Sequence, residues 1–158
     1  SIEKPIQSLS DDTAAATLGR TFIDVVIDGL LALHPWRFAC RSYDLVANID
    51  GTFDMPSDVL RIIKTNGRIS EDKIISPDQK TTIIAIVRIS PEKFPSYFVS
   101  LVATKLAMEL CMPITSDQTL FRTLVALYET ELQNAKFIDS TTSVNSNIEN
   151  FSLIDIRF

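Results

Sequence analysis

Apolar residues recur at three- and four-residue steps in three stretches of the chain, and a shorter, alternating pattern separates the first stretch from the other two. Leu18, Phe22, Val25, Val26, Leu30 and Leu33 form the first stripe, which predicts a helix with one core-facing side. Ser10 followed by Asp11 and Asp12 is its start signal, a hydroxyl cap before acids that suit the positive end of the helix dipole. His34-Pro35 is its stop, because the residue before proline is pushed out of the helical region. Gly29 within the stripe costs up to about 1 kcal/mol relative to alanine, so a close contact is expected there.

From Trp36 the period changes. Phe38, Cys40 and Ser42 alternate with Arg37, Ala39, Arg41 and Tyr43, and Leu45 to Ala47 continue an extended segment. Turn residues follow at Asn48-Ile49-Asp50-Gly51 and at Met55-Pro56-Ser57-Asp58. Val59 to Lys64 reads as a strand, Asn66-Gly67 as a hairpin turn, and Ile74-Ile75 and Thr81 to Ile89 as further strands. Together they predict three or four short strands in one small antiparallel sheet.

Two long helices are expected after Ser90-Pro91. Pro95 suits the first helical position of the earlier one, whose stripe is Phe98, Leu101, Val102, Leu106 and Leu110 and whose end is Pro113. Thr115 and Gln118 form a capping box for the later one, striped by Leu120, Leu124, Leu127, Tyr128, Leu132 and Ala135. The short connection between them predicts antiparallel packing. The expected fold is therefore α+β: an antiparallel bundle of three long helices with an inserted small antiparallel β-sheet and extended termini. A single domain spans 1–139, with a helical body at 10–34 and 94–139 and the sheet insertion at 37–90, and a tail spans 140–158. Ser140 to Asn150 is polar, whereas Phe151 to Phe158 is strongly apolar, a pattern that calls for a receiving surface.

A length of 158 residues suits one domain with a core that needs no staples, and 46% hydrophobic residues exclude a disordered chain. A net charge of −5 argues against a surface that coats nucleic acid. Cys40 and Cys111 sit in apolar surroundings and read as buried free thiols in a reducing compartment. No apolar run approaches the ~20 residues of a membrane span, and no signal peptide is visible, which points to a soluble, intracellular chain.

Chemistry is thin. The one histidine, His34, abuts Pro35 and Trp36 and reads as a cap or packing residue. Gly19, Gly29, Gly51 and Gly67 are too scattered for a phosphate loop, and two distant cysteines with one histidine make no zinc site. Asp11, Asp12, Glu129 and Glu131 read as solvated acids. Arg37, Arg41, Arg61, Lys64 and Arg68 suit a solvated sheet face as well as phosphate contacts. Trp36 is open to two readings, a core tryptophan or an aromatic interface anchor. No catalytic, cofactor-binding or metal-binding residue is expected, and no cofactor.

Several segments, in order, resemble a known family: His34-Pro35-Trp36-Arg37-Phe38-Ala39, then Met55-Pro56-Ser57-Asp58-Val59-Leu60-Arg61. Phe94-Pro95-Ser96-Tyr97-Phe98 follows with an Ala/Leu-rich helix, and Pro113-Ile114-Thr115 precedes the last helix. Over roughly residues 12–139 the chain resembles the head-to-tail adaptors of short-tailed bacteriophages, the tail tubular protein A type, and the closing Ile-Asp-Ile-Arg-Phe is similar to family C-termini. The resemblance implies a structural virion protein at the head–tail junction, assembled in the host cytoplasm. Its partners would be the portal protein ring, a tail nozzle protein and further copies of itself in a dodecameric ring. Phage DNA would pass through the channel without sequence-specific binding, and no membrane is involved. The residues expected to meet a partner are Trp36, Phe151, Leu153, Ile154, Ile156, Arg157 and Phe158. The competing readings are a small intracellular interaction or regulatory protein that binds through its apolar tail, and an enzyme with an unrecognised site.

Overall fold

A computed structural model describes residues 14–71 and 73–142. The expected start signal at Ser10 to Asp12 and the whole of Phe151 to Phe158 lie outside the described residues. Helix α1 spans Ala14–Leu33, a 3-10 turn covers Arg37–Ala39, and six strands follow: β1 Cys40–Val46, β2 Thr52–Asp54, β3 Val59–Thr65, β4 Arg68–Ser70, β5 Lys73–Ile75 and β6 Lys80–Val87. A second 3-10 turn at Pro91–Lys93 leads into α2, Ser96–Thr115, and α3, Gln118–Thr141.

The mix of helix and strand is as expected, but the bundle of three long helices is not what forms. Only α2 and α3 pair along their length; α1 packs on β3, β6 and part of α2. Nor is there one sheet. The strands make two three-stranded antiparallel sheets, one ordered β1-β6-β3 and the other β2-β5-β4. The reason lies in β6, Lys-Thr-Thr-Ile-Ile-Ala-Ile-Val, which is buried on both faces. Ile84 and Ile86 pack into the core beneath the helices with Leu30, Leu31, Trp36 and Phe98. Ile83 and Ala85 point the other way, onto Phe53 of β2 and Ile74 of β5. A strand covered on both sides needs layers above and below it, and its sequence reads as a continuous apolar run. Helices, first sheet and second sheet therefore stack in three layers, with α1 drawn away from a bundle by the first sheet's upper face.

Local chemistry differs from expectation at three junctions. Asn66-Gly67 does not close a hairpin, since β3 pairs with β6 and β4 with β5, and neither residue adopts the positive φ that a type I′ turn requires. It instead steps the chain between sheets, and Gly67 is there for space: a Cβ would come within 2.5 Å of Ile74 Cγ2 and 2.9 Å of the Ile75 carbonyl oxygen. Pro113 does not end α2; the helix runs to Thr115, and Ser116 then turns left-handed at φ 53. The cap of α3 is Asp117, not Thr115: its carboxylate accepts from the Leu120 amide at 3.0 Å, while the Thr115 hydroxyl accepts from the Asp117 amide at 3.1 Å. Pro95 precedes α2 as its cap residue rather than opening it.

Gly29 also departs from expectation, because a Cβ there would meet nothing within 4 Å. Two glycine substitutions should thus move stability in opposite directions. Gly29→Ala should raise it by about 0.5–1 kcal/mol through helix propensity. Gly67→Ala should lower it by about 1–3 kcal/mol through overpacking against Ile74 and Ile75. Urea midpoints of the two variants and the parent check both signs.

Candidate assembly surface

Asp139, near the end of α3, is 1% exposed and gathers the helical layer around itself. Its two carboxylate oxygens each accept from the Arg37 backbone amide at 3.1 Å, and Oδ1 also accepts from the Tyr97 hydroxyl at 2.9 Å. His34 Nε2 stands 3.7 Å from Oδ2. One carboxylate thereby joins the end of α1, the first 3-10 turn, the start of α2 and the end of α3. Beside it Trp36 is fully buried, donates from Nε1 to the Leu30 carbonyl at 2.7 Å and meets Phe98 edge-on at 5.3 Å between centroids. Phe98 in turn meets Phe38 at 4.9 Å and Phe94 at 4.8 Å. This places Trp36, a candidate partner residue, inside the core; Phe151, Leu153, Ile154, Ile156, Arg157 and Phe158 lie outside the described residues.

The arrangement is a clamp rather than a reactive centre. His34 and Asp139 are committed to it, and burial pushes the Cys40 thiol above its ordinary value, away from the reactive thiolate. Cys40 and Cys111 are both free and buried. Among the described residues no group of three His, Cys, Asp or Glu side chains could hold a metal ion.

Beyond the clamp, α2 and α3 leave the body as a hairpin with an apolar outer side. In the half nearest the clamp, Phe98, Leu101, Val102, Ala135 and Asp139 are buried; farther out, Cys111 is the buried residue. On the side roughly opposite Phe98 and Val102, α2 presents Val99, Ala103, Ala107, Leu110 and Ile114 at steps of four, four, three and four, all exposed. Ile114 is 72% exposed. On the same side α3 presents Leu120, Thr123, Leu127, Thr130 and Phe137, the last 68% exposed. None of these positions is charged, in a chain that is 22% charged. The charges are on other faces: Arg122, Glu129 and Lys136 repeat every seven residues along α3, and Lys105 pairs with Glu109 at 2.7 Å beside the Tyr128 ring. At the hairpin's base a recess of about 320 Å³ between the helices is lined in part by Ser96, Ser100, Glu131 and Asn134, a polar edge to the apolar strip.

Helix α2 is apolar on two sides and carries its two charges, Lys105 and Glu109, on another. By length and composition alone Ser96–Thr115 is long and apolar enough to cross a membrane, yet only 28% of its most apolar window is buried. This corrects the expectation that no run approaches a membrane span; Lys105 and Glu109 interrupt the sequence but are paired one helical turn apart.

A second apolar strip lies on α1. Phe22, Val26 and Leu30 face the core as expected, but Leu18, Val25 and Leu33 do not: they are exposed, Leu18 by 71% and Val25 by 64%. The single stripe read from sequence is in fact two, their centres about 70° apart around the helix, with Leu33 in the last turn close to the core-facing direction. Gly29 lies on the exposed one. Asp28, on a neighbouring face, forms a bidentate pair with Arg88. The same division occurs on the hairpin, where the expected core residues Leu110, Leu120 and Leu127 face outward. The sequence signal that distinguishes the faces is charge phase, since Arg122, Glu129 and Lys136 mark one side of α3 and leave the side of Leu120 and Leu127 without charge.

No protein-family model matches the chain, and no curated protein matches it in sequence.

Two measurements check the clamp. Asp139→Ala leaves the Arg37 amide and Tyr97 hydroxyl unmet and should cost about 3 kcal/mol or more in chemical denaturation. Burial first, then the hydrogen bond and charge of Asp139, raise the Tyr97 pKa well above its ordinary value. A raised folded pKa means that this group's contribution is fully present below the unfolded value near 10 and is lost as pH climbs toward the folded one. Tyr97→Phe should therefore be less stable near neutral pH and show a shallower loss of stability above about pH 10.

Proposed function

We propose that the chain is a ring-forming head-to-tail adaptor that docks beneath a portal, extends its DNA channel and offers a platform to a tail nozzle. The single observation that carries this reading is the charge-free outer side of the α2–α3 hairpin. It is an exposed surface of aligned apolar side chains, and charge depletion with aliphatic exposure is the signature of an interface core. Assembly by a closed ring needs two different patches on each subunit, and the exposed strip of α1 supplies a second one. The residue order from His34 to Thr115 that resembles the adaptor family supports the same reading from an independent direction.

In this reading the clamp around Asp139 keeps the hairpin at a fixed angle to the body, which a ring of repeated contacts requires. The two stacked sheets form a stiff projection from the helical layer. The segment Phe151 to Phe158 would seat in a groove of the portal or add a strand to it. The reading as an interaction protein that binds through that segment alone leaves the hairpin's exposed face without a role.

Cosedimentation of the purified chain with assembled portal rings, followed by electron microscopy, tests the proposal. The expected result is a ring of density coaxial with the portal, with twelve subunits adding twelve times 17.7 kDa, about 212 kDa in all. Deleting Phe151 to Phe158 should reduce portal binding by tenfold or more, an order that loss of ~1.4 kcal/mol of contact gives. A chain that stays free of the portal would sink the adaptor reading, and binding unchanged by the deletion would sink the role given to the tail.

A further inference from the structure

We infer that in the free subunit the segment Phe151 to Phe158 adds a fourth strand to the first sheet of its own chain, antiparallel to β1 and along its open edge.

Among the described residues the two sheets leave four edges, unequally guarded. Strands β2 and β4 have three residues each. Strand β3 breaks its register with β6 twice, and its Arg61 guanidinium reaches the Ala32 carbonyl of α1. Short strands and irregular register are ordinary protections of a sheet edge. Strand β1 has neither: its seven residues pair with β6 in unbroken register and include no proline. The Ala47 amide donates to the Gln79 carbonyl at 2.9 Å, so the odd-numbered residues of β1 are those that exchange bonds with β6. The amides and carbonyls of Ser42, Asp44 and Val46 therefore point outward. The open edge stops at Ser42, because the Cys40 amide bonds the Arg37 carbonyl and the Cys40 carbonyl accepts from the Arg41 guanidinium at 2.8 Å.

The chain itself brings a strand to this edge. The Arg37 guanidinium donates to the Thr142 carbonyl, which ties the end of α3 beside the turn that leads into β1. From Thr142 to Phe151 the extended chain reaches up to about 30 Å, while β1 is about 24 Å long, so the far end of β1 is within reach. A tether as short as residues 143–150 gives an effective concentration of the order of millimolar, which favours the chain's own segment over a neighbour's. One antiparallel register suits both sequences. With Asp155 opposite Arg41, Leu153 falls opposite Tyr43 and Phe151 opposite Leu45. Tyr43 and Leu45 already pack on the cluster of Phe53 and Ile74, and the two added side chains would widen that apolar layer. A shift of two residues sets Arg157 or Leu153 against Arg41, and a shift of one exchanges the faces. A portal groove would receive the segment only by taking it from β1, so the inference concerns the free chain and stands or falls without the portal.

Amide hydrogen exchange of the free full-length chain, read residue by residue by NMR, tests the added strand. Ser42, Asp44 and Val46 should exchange about tenfold or more slowly in the parent than in full-length Ile154→Pro. Residue 154 pairs with Ser42 in this register, and proline has no N–H to give. Tyr43 and Leu45, bonded to β6, should stay protected in both chains and so report that the fold is intact. As a second readout, the double variant Leu45→Cys with Phe151→Cys should close a disulfide within one chain in oxidised glutathione, since Cys40 and Cys111 are buried. Equal exchange in parent and Ile154→Pro would overturn the inference. So would slow exchange that fades on dilution, or a disulfide found only between chains, because either gives the edge to a neighbour's segment. Portal binding or its absence moves neither readout.

Discussion

One buried carboxylate holds the helical layer together. Asp139 accepts from the Arg37 amide and the Tyr97 hydroxyl and sits beside His34, so three segments far apart in sequence, around residues 34–37, 97 and 139, meet at two oxygen atoms. A charge this deeply placed is tolerable only because its hydrogen-bonding capacity is met by fixed donors. The aromatic cluster of Trp36, Phe38, Phe94 and Phe98 packs against the same junction and supplies apolar area. The carboxylate supplies direction: it sets where α3 ends relative to where α2 begins, and hence how the hairpin leaves the body.

That orientation matters because the hairpin is only half supported. Near the clamp its helices share the core; farther out they mainly hold each other, through such contacts as the Thr104 hydroxyl donating to Glu131 at 2.6 Å and Lys105 over the Tyr128 ring at 5.0 Å. A helix pair of this kind keeps its shape by internal packing and keeps its aim by its base. The apolar side chains it exposes are aligned rather than scattered, which separates them from the isolated surface leucines that any soluble protein carries.

Much of the fold was legible in the sequence, and the failures share a cause. Helix spans were readable because apolar stripes, Pro35 and Ser90-Pro91 punctuate them, while Pro113 and Thr115 misplaced the boundary between α2 and α3. What periodicity could not reveal was that α1 and α2 are apolar on two sides, since a stripe shows that a face is apolar and not what covers it. Leu18, Val25, Leu110 and Leu127 were assigned to the core for that reason. The second sheet was missed because β2, β4 and β5 are three residues each, too short for alternation to register. Of the candidate partner residues, Trp36 is a core residue by position, and its neighbours His34 and Asp139 are 105 residues apart in sequence, a proximity that spacing cannot show. The adaptor-like order of segments pointed to assembly, and the surface that supports it lies on helices whose apolar content had been credited to a bundle.

The central position of β6 has a consequence for how the chain acquires its shape. In the first sheet β1 and β3 have no pairing except through β6, and the second sheet leans on the face that Ile83 and Ala85 provide. Of what emerges earlier, β1 and β3 are therefore open edges waiting for a strand that leaves the ribosome later, while β2, β4 and β5 can pair with one another but lack the apolar face that covers them. The first sheet has no half to accumulate, so its ordering should be abrupt and late, with the edges of β1 and β3 exposed until then. The same arrangement makes the finished sheets hard to open one strand at a time, because withdrawing β6 unpairs the first sheet and uncovers the second.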